Sequence, residues 1–457
     1  MLSAAVQSVR RRFGGVHGDH KRIARSAVVL LAFVILGKCI GASKEMAIAY
    51  RYGISGTVDA YQLALTLVTW LPTMLTNVLG VLLVPALVSL KDSKSEQNSF
   101  LSELEGVGLV VGTISCLLLW LCWPYMAEAV GGNLAKSTRE ICRNMIISMM
   151  PVGVLTLTIC ISSARLQASG KHINTLLECV PAIGLLAFVL AAQDNESIWP
   201  LVVGTSLGFL VQAAWLRVLA RRADSMSAMP SVSTRAKQWP DTIRSMGTLT
   251  IGWVVAGLWL PVDQYFMAQQ GDGAIATFGY ANRLLSLVLS MGTLAIARAT
   301  LPILAEILHR GDHARARSTA LKWSGVMTAV GLSGSLIAYV LAPFAVKLLF
   351  QNGAFTADDT VAVTTLFRYG LLQVPFYFGM CVLTQLFASE RRYRAITVIS
   401  LIGFGIKIVG NLILIRYFGA QGVLLATGVG AFAVLACYVY WTRFAPASRA
   451  PDTNDLE

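Results

Sequence analysis

Long apolar runs dominate this chain, and their length decides its class. A helix needs about 20 apolar residues to cross a hydrocarbon core about 30 Å thick. Runs of that length, separated by charged or Gly/Asn-rich breaks, fall at 26–49, 59–90, 104–127, 141–164, 173–192, 198–216, 246–268, 274–306, 323–347, 359–388, 395–415 and 421–442. They predict an all-α polytopic membrane protein of about twelve transmembrane helices. Composition agrees: 55% of the 457 residues are hydrophobic and only 13% are charged, where soluble domains carry about a quarter. Pro72, Pro85, Pro151, Pro181, Pro261, Pro302, Pro343 and Pro375 lie in or at the ends of these runs. Membrane helices tolerate prolines where neighbours satisfy the freed carbonyls.

The 37 Lys and Arg give a formal net charge of +13. Counted loop by loop, 25 lie on the side of the N-terminus and seven lie in or at the ends of helices; the other five, Arg51, Lys136, Arg139, Arg143 and Arg416, lie on the opposite side. Cytoplasmic loops carry the cation excess in membrane proteins, so both termini are predicted inside. The basic balance is therefore a topology signal from loops near anionic lipid, not a nucleic-acid surface. Residues 1–25 read as a retained basic cytoplasmic tail, because the following run is too long for a cleaved signal peptide and is interrupted by Lys38 and Lys44. Eight scattered cysteines form no CxxC pair, so neither a disulfide framework nor a zinc site is indicated.

Three internal matches recur at nearly one offset, 217 to 222 residues. Leu166 to Lys171 matches Leu386 to Arg391, Val84 to Leu87 matches Leu301 to Leu304, and Thr205 to Gly208 matches Thr427 to Gly430. With six spans per half, both halves start inside, which predicts two parallel six-helix repeats around a central cavity, the layout of alternating access. The predicted lobes are 26–220 and 246–442, joined by a cytoplasmic linker at 221–245 and followed by a cytoplasmic tail at 443–457.

The seven helix cations carry the functional argument, since a charge at mid-depth faces a cavity or a partner. At about 1.5 Å per residue, Lys38 and Lys407 fall near the midplane, Lys44 further out, and Arg283 and Arg368 about ten residues from the outer face. Arg298 and Lys347 lie near enough to helix ends to snorkel. The deep acids are fewer: Glu45, Glu178 and Asp263, with Asp59 at a helix start where it can act as a cap. Lys38 and Glu45, seven apart, share a helix face, so some charges pair. The balance still leaves a cationic cavity suited to a diphosphate.

Several segments resemble a known family. Gly41-Ala42-Ser43-Lys44-Glu45, Ala49-Tyr50-Arg51-Tyr52-Gly53 and Thr57-Val58-Asp59-Ala60-Tyr61 resemble the opening of the MviN/MurJ lipid-linked glycan flippases. Phe278 to Leu284, Thr300 to Ala305 and Gln351-Asn352-Gly353-Ala354-Phe355-Thr356-Ala357-Asp358-Asp359-Thr360 extend the likeness across both halves. Thr356 is placed to cap the tenth span. The resemblance implies the multidrug/oligosaccharidyl-lipid/polysaccharide exporter fold in a bacterial plasma membrane. It also implies a flippase moving a polyprenyl-diphosphate-linked saccharide from inner to outer leaflet, with membrane lipids and glycan-assembly enzymes as partners. Lys38, Lys44 and Arg283 fall on the family's cationic cavity positions and Asp59 on its helix-2 Asp. Leu71 to Gly80 lacks the Arg pair and Glu that the peptidoglycan-precursor flippases carry there, and the chain ends 15 residues after Thr442, where those proteins have two more helices. Peptidoglycan lipid II and another cell-surface glycan precursor are therefore both open as substrate.

No cofactor is implied. Some relatives build a sodium site from a helix-7 acid and helix-11 Asn/Asp residues; Asp263 and Asn411 stand at those places here, but Lys407 lies four residues before Asn411. A fixed ammonium there repels a cation, so proton movement on Asp263 or the membrane potential is expected to drive the cycle. Ser169-Gly170-Lys171-His172 lacks the first Gly and the strand of a phosphate loop. Gly403 and Gly405 read as helix-packing positions, and the five His lie outside the spans. The rival readings are a multidrug or cation-coupled exporter of the same superfamily, which calls for a more apolar, acidic cavity, and a non-transporting membrane scaffold. A membrane glycosyltransferase needs a larger outer loop than this chain has.

Overall fold

The computed structural model describes residues 18–91, 93–171, 173–192, 197–390 and 392–444, with side chains from residue 33 onward apart from some positions in three helices. Most of the basic tail at 1–25, the last residues of the C-terminal tail and the side chain of Arg298 thus lie outside the described residues. The described chain is helical: α1 Gly18–Tyr52, α2 Gly56–Ser89, α3 Lys94–Gly131, α4 Lys136–Ala168, α5 Asn174–Leu177, α6 Val180–Ala191, α7 Trp199–Asp224, α8 Trp239–Ala268, α9 Ala274–His309, α10 His313–Phe350, α11 Ala357–Gly370, α12 Val374–Ser389, α13 Tyr393–Phe418 and α14 Ala420–Phe444. Among the described residues, nine helical stretches are long and apolar enough to cross a membrane. The helices α1, α8 and α9 fall on the other three apolar runs.

Two runs that read as single helices are broken. The run at 173–192 divides into α5 and α6, with Pro181 in the first turn of α6. The run at 359–388 becomes α11, a 3-10 turn Leu371–Gln373 and α12, with Pro375 in the first turn of α12. Proline lacks the N–H that would continue the ladder and clashes with the preceding turn, so a new helix starts there. Pro72, Pro85, Pro151, Pro261 and Pro343 sit inside continuous helices.

In the first half, α2 packs on α4, α4 on α7, α6 on α7 and α1 on α6; in the second, α9 packs on α12, α12 on α14, α13 on α14 and α8 on α13. The halves meet through α2 with α8 and α9, α3 with α8, and α1 with α10. Close crossings need small residues. A Cβ on Gly204 would lie 2.8 Å from the Leu185 Cα, which draws α6 and α7 together. Of the pair in α13, Gly403 faces Val434 at a distance that admits no Cβ, while Gly405 faces open space.

The interlobe segment differs from expectation at its edges. Helix α7 runs to Asp224 and α8 starts at Trp239, so the non-helical linker is 225–238, and it is folded back on α3. The Ser231 N–H donates to the Ser102 carbonyl at 2.9 Å, and Glu103 accepts from the N–H groups of Arg235 and Ala236 and from Trp239 Nε1 at 2.7 Å. Arg165, counted with the loop cations, is buried: α4 extends to Ala168, and Arg165 donates to both Asp224 oxygens, to Glu105 Oε1 and to the Met226 carbonyl.

Candidate functional site

The loops 53–55, 132–135, 269–273 and 351–356 converge at one end of the bundle, hereafter the sealed end. The seal is a reciprocal pair of helix caps. Asp59, in the first turn of α2, accepts from the N–H groups of Gly273 and Ala276 at the start of α9. Asp272, just before α9, accepts in turn from the Ala135 N–H at 3.0 Å and the Thr138 hydroxyl at 2.9 Å, at the start of α4. Each half thus supplies a carboxylate to the unsatisfied N–H groups of a helix in the other. Among the described residues Asp59 has no charge partner, and it does not cap its own helix, because its carboxylate is taken by the open N–H groups of α9. The Tyr280 hydroxyl donates to the Gly53 carbonyl at 3.0 Å and the Ala354 N–H to the Tyr50 carbonyl at 2.7 Å. Thr356 caps α11 in a capping box with Asp359, as its sequence suggests.

Below the seal, α1 and α9 face each other across a cleft of about 180 Å³, lined by Lys38, Lys44, Glu45, Arg283, Leu284 and Phe350, among others. Glu45 is its hub. Its Oε1 lies 2.7 Å from Lys44 Nζ and 3.0 Å from Arg283 Nε. The Glu45 and Lys44 side chains are largely buried, whereas Arg283 is 51% exposed. Lys38 is exposed, lines the same cleft and has no ion pair among the described residues. Three cations and one carboxylate in its described lining leave the cleft with a net charge of about +2. A smaller adjoining cleft shares Glu45 and Arg283 and adds Tyr61, Gln62, Gln264 and Asn282, and the Tyr61 hydroxyl lies 2.9 Å from that of Thr205. The sequence gives these neutral polar residues no site role, because no charge marks them; Tyr61 and Asn282 enter it only within the family-like segments, and Gln264 and Asn282 simply adjoin Asp263 and Arg283.

The remaining site candidates lie elsewhere. Lys407 and Asn411 in α13 are fully buried. Lys407 Nζ lies 2.7 Å from Asp263 Oδ2 and 4.3 Å from the centre of the Trp259 ring, so it is not a free cavity cation. Burial in an apolar helix contact demands a counter-charge, which Asp263 in α8 supplies. Arg368, at the end of α11, is also outside the cleft: its Nε donates to the Tyr339 carbonyl at 3.1 Å and its guanidinium stacks on the Tyr339 ring. Glu178 is exposed at the break between α5 and α6, away from both clefts, and has no ion pair among the described residues. Position along a helix does not give the direction in which a side chain points, and for these groups direction decides the partner.

The family model for "Lipid II flippase MurJ" matches residues 48–450. The chain belongs to this family. Its relatives include the probable lipid II flippase MurJ of Bdellovibrio bacteriovorus, 21% identical over 91% of this chain and 81% of that protein, and the lipid II flippase MurJ of Burkholderia cenocepacia, 23% identical over 89% and 81%. Among solved structures, lipid II flippase MurJ in an inward closed conformation superposes with a TM-score of 0.79 at 17% identity, covering 91% of this chain and 87% of that one. An inward-facing multidrug resistance MATE family transporter of the MOP superfamily superposes at 0.67 and 12% identity, covering 91% and 97%. The family places the chain among multi-pass transporters of the inner membrane.

Proposed function

We propose that this protein moves a polyprenyl-diphosphate-linked saccharide from the inner to the outer leaflet by alternating access, with lipid II, the substrate in its relatives' names, as the first candidate. The observation that carries this reading is the cleft at the lobe interface, where Lys44 and Arg283 share the carboxylate of Glu45 and Lys38 lines the same cleft. A diphosphate needs several donors in a site shielded from water, and Arg and Lys supply them. Glu45 holds Lys44 and Arg283 in place before substrate arrives. The diphosphate then takes over their free N–H groups together with Lys38, and Glu45 limits how tightly it is held, so it can leave. A drug exporter of the MATE type is the weaker reading, since an organic cation is repelled by a cleft of this sign.

In the orientation expected from loop charge, the sealed end faces the outer leaflet and both termini are cytoplasmic. Coupling runs without sodium at Asp263, because the Lys407 ammonium, 2.7 Å from Asp263 Oδ2, already supplies the counter-charge there and repels a second cation. The function is tested by reconstituting the protein with a fluorescent polyprenyl-diphosphate saccharide and comparing wild type with Lys38→Ala and Arg283→Ala. Translocation falling at least tenfold in both variants supports the reading; equal rates in all three proteins sink it.

A further inference from the structure

A second cationic groove shares no lining residue with the central cleft. It runs between α3 and α4 below the sealed end, with a volume of about 580 Å³, and is lined by Trp120, Leu121 and Trp123 on α3 and by Lys136, Arg139, Glu140, Arg143, Ile146 and Ile147 on α4. The α4 residues form one helical stripe at spacings of three and four. Its cations are three of the five that the sequence places outside, on the side where membrane proteins keep few. Like charges at these spacings repel by a few tenths of a kcal/mol per pair. Among the described residues, Glu140 is the one acid in the lining, and none of the three cations has an ion pair or side-chain hydrogen bond. Arg139 is nevertheless held in place: its stem covers Gly131 so closely that a Cβ there would lie 2.7 Å from Arg139 Cδ.

The groove is also graded along the membrane normal. With about 1.5 Å of rise per residue, Lys136 to Arg143 span roughly 10 Å, and Ile146 and Ile147 lie a turn deeper beside Leu121. Trp120, Leu121 and Ile147 are exposed, so the groove opens to the membrane. Cations above and an apolar floor below match a lipid whose anionic head sits at interfacial depth. Three cations with one acid exceed the single negative charge of a common phospholipid and suit a diphosphate.

We propose that this groove is a release site for the polyprenyl-diphosphate lipid on the outer side of the membrane. Arg139 and Arg143 grip the diphosphate, the exposed indole of Trp120 flanks the head group, and Leu121 and Ile147 carry the first isoprene units. The site rests on the flippase reading for its purpose, but not for its chemistry.

The test measures binding of farnesyl diphosphate to the full-length protein in nanodiscs, in a Lys38→Ala/Arg283→Ala background that removes the central cleft. Binding that persists there, is weakened at least tenfold by adding Arg139→Gln/Arg143→Gln, and is largely restored by Arg139→Lys/Arg143→Lys supports the groove. Inorganic diphosphate binding as tightly as farnesyl diphosphate would overturn the lipid assignment, and phosphatidylglycerol competing equally would make it an ordinary phospholipid contact. Unchanged binding in the Gln variant overturns the site itself. If the protein with an intact central cleft fails to translocate the lipid while the groove still binds it, the flippase reading fails and the groove stands.

Discussion

Glu45 offers a single oxygen to two cations, and that arrangement sets the behaviour of the central cleft. Glu45→Gln raises the net charge of the lining from about +2 to about +3. Substrate affinity is therefore expected to rise while turnover falls, which equilibrium binding and translocation rate measured side by side will separate. Arg283→Lys keeps the charge but loses the planar fork, so it should retain more activity than Arg283→Ala and less than wild type. At Asp263 and Lys407 the expectation concerns stability. Removing one partner strands a charge in a buried site, at a cost of about 3–5 kcal/mol. Thermal unfolding in detergent should show Lys407→Met and Asp263→Asn each strongly destabilised, with Lys407→Met/Asp263→Leu recovering most of the loss. Arg368 and Glu178 show the limit of reading charges one at a time. Both lie within apolar runs, yet one stacks on Tyr339 and the other is exposed at a helix break.

Helix ends decide how the halves hold together. Each cap contributes about 1 kcal/mol, so losing the Asp59 and Asp272 caps together should shift the balance toward an unsealed state by about 30-fold. The measurement is thiol labelling of Gln62→Cys in a cysteine-free background, from the aqueous phase at the sealed end. Labelling should accelerate in Asp59→Ala/Asp272→Ala, and an unchanged rate would show that the caps do not hold the seal. At the opposite end, Gly106 in α3 lies under the linker, where a Cβ would come 2.2 Å from the Ser231 carbonyl oxygen. Backbone cannot yield as a side-chain tip can, so Gly106→Ala should lift residues 225–238 off α3. Hydrogen exchange at the Ser231 and Ala236 amides, which bond to Ser102 and Glu103, reports this directly.

For the whole molecule, contact between the halves is concentrated in the sealed end and in α2 against α8 and α9. Relative movement of two such lobes is what alternating access requires. The buried ion pair between α8 and α13 belongs to one lobe and so can travel with it. Transport in proteoliposomes should accordingly proceed at the same rate with sodium or choline as the external cation. A requirement for sodium that survives Lys407→Asn unchanged would contradict the role given to Lys407.

The sequence alone determined the helical, membrane-spanning class, because a bilayer admits few backbone solutions and apolar length is read directly from residue order. It also marked Lys38, Lys44, Glu45 and Arg283, along with Arg368, Lys407 and Asp263, as charges at depth, since such charge is costly wherever it occurs; that the first four share one cleft is seen only in the structure. Direction and partnership were decided only by tertiary structure. Lys407 reads like Lys38 until α8 brings Asp263 to it, Arg165 reads as a loop cation until α4 runs on past it, and Asp59 reads as a cap for its own helix. In each case the deciding group lies more than 50 residues away in the chain, and only packing brings the two together.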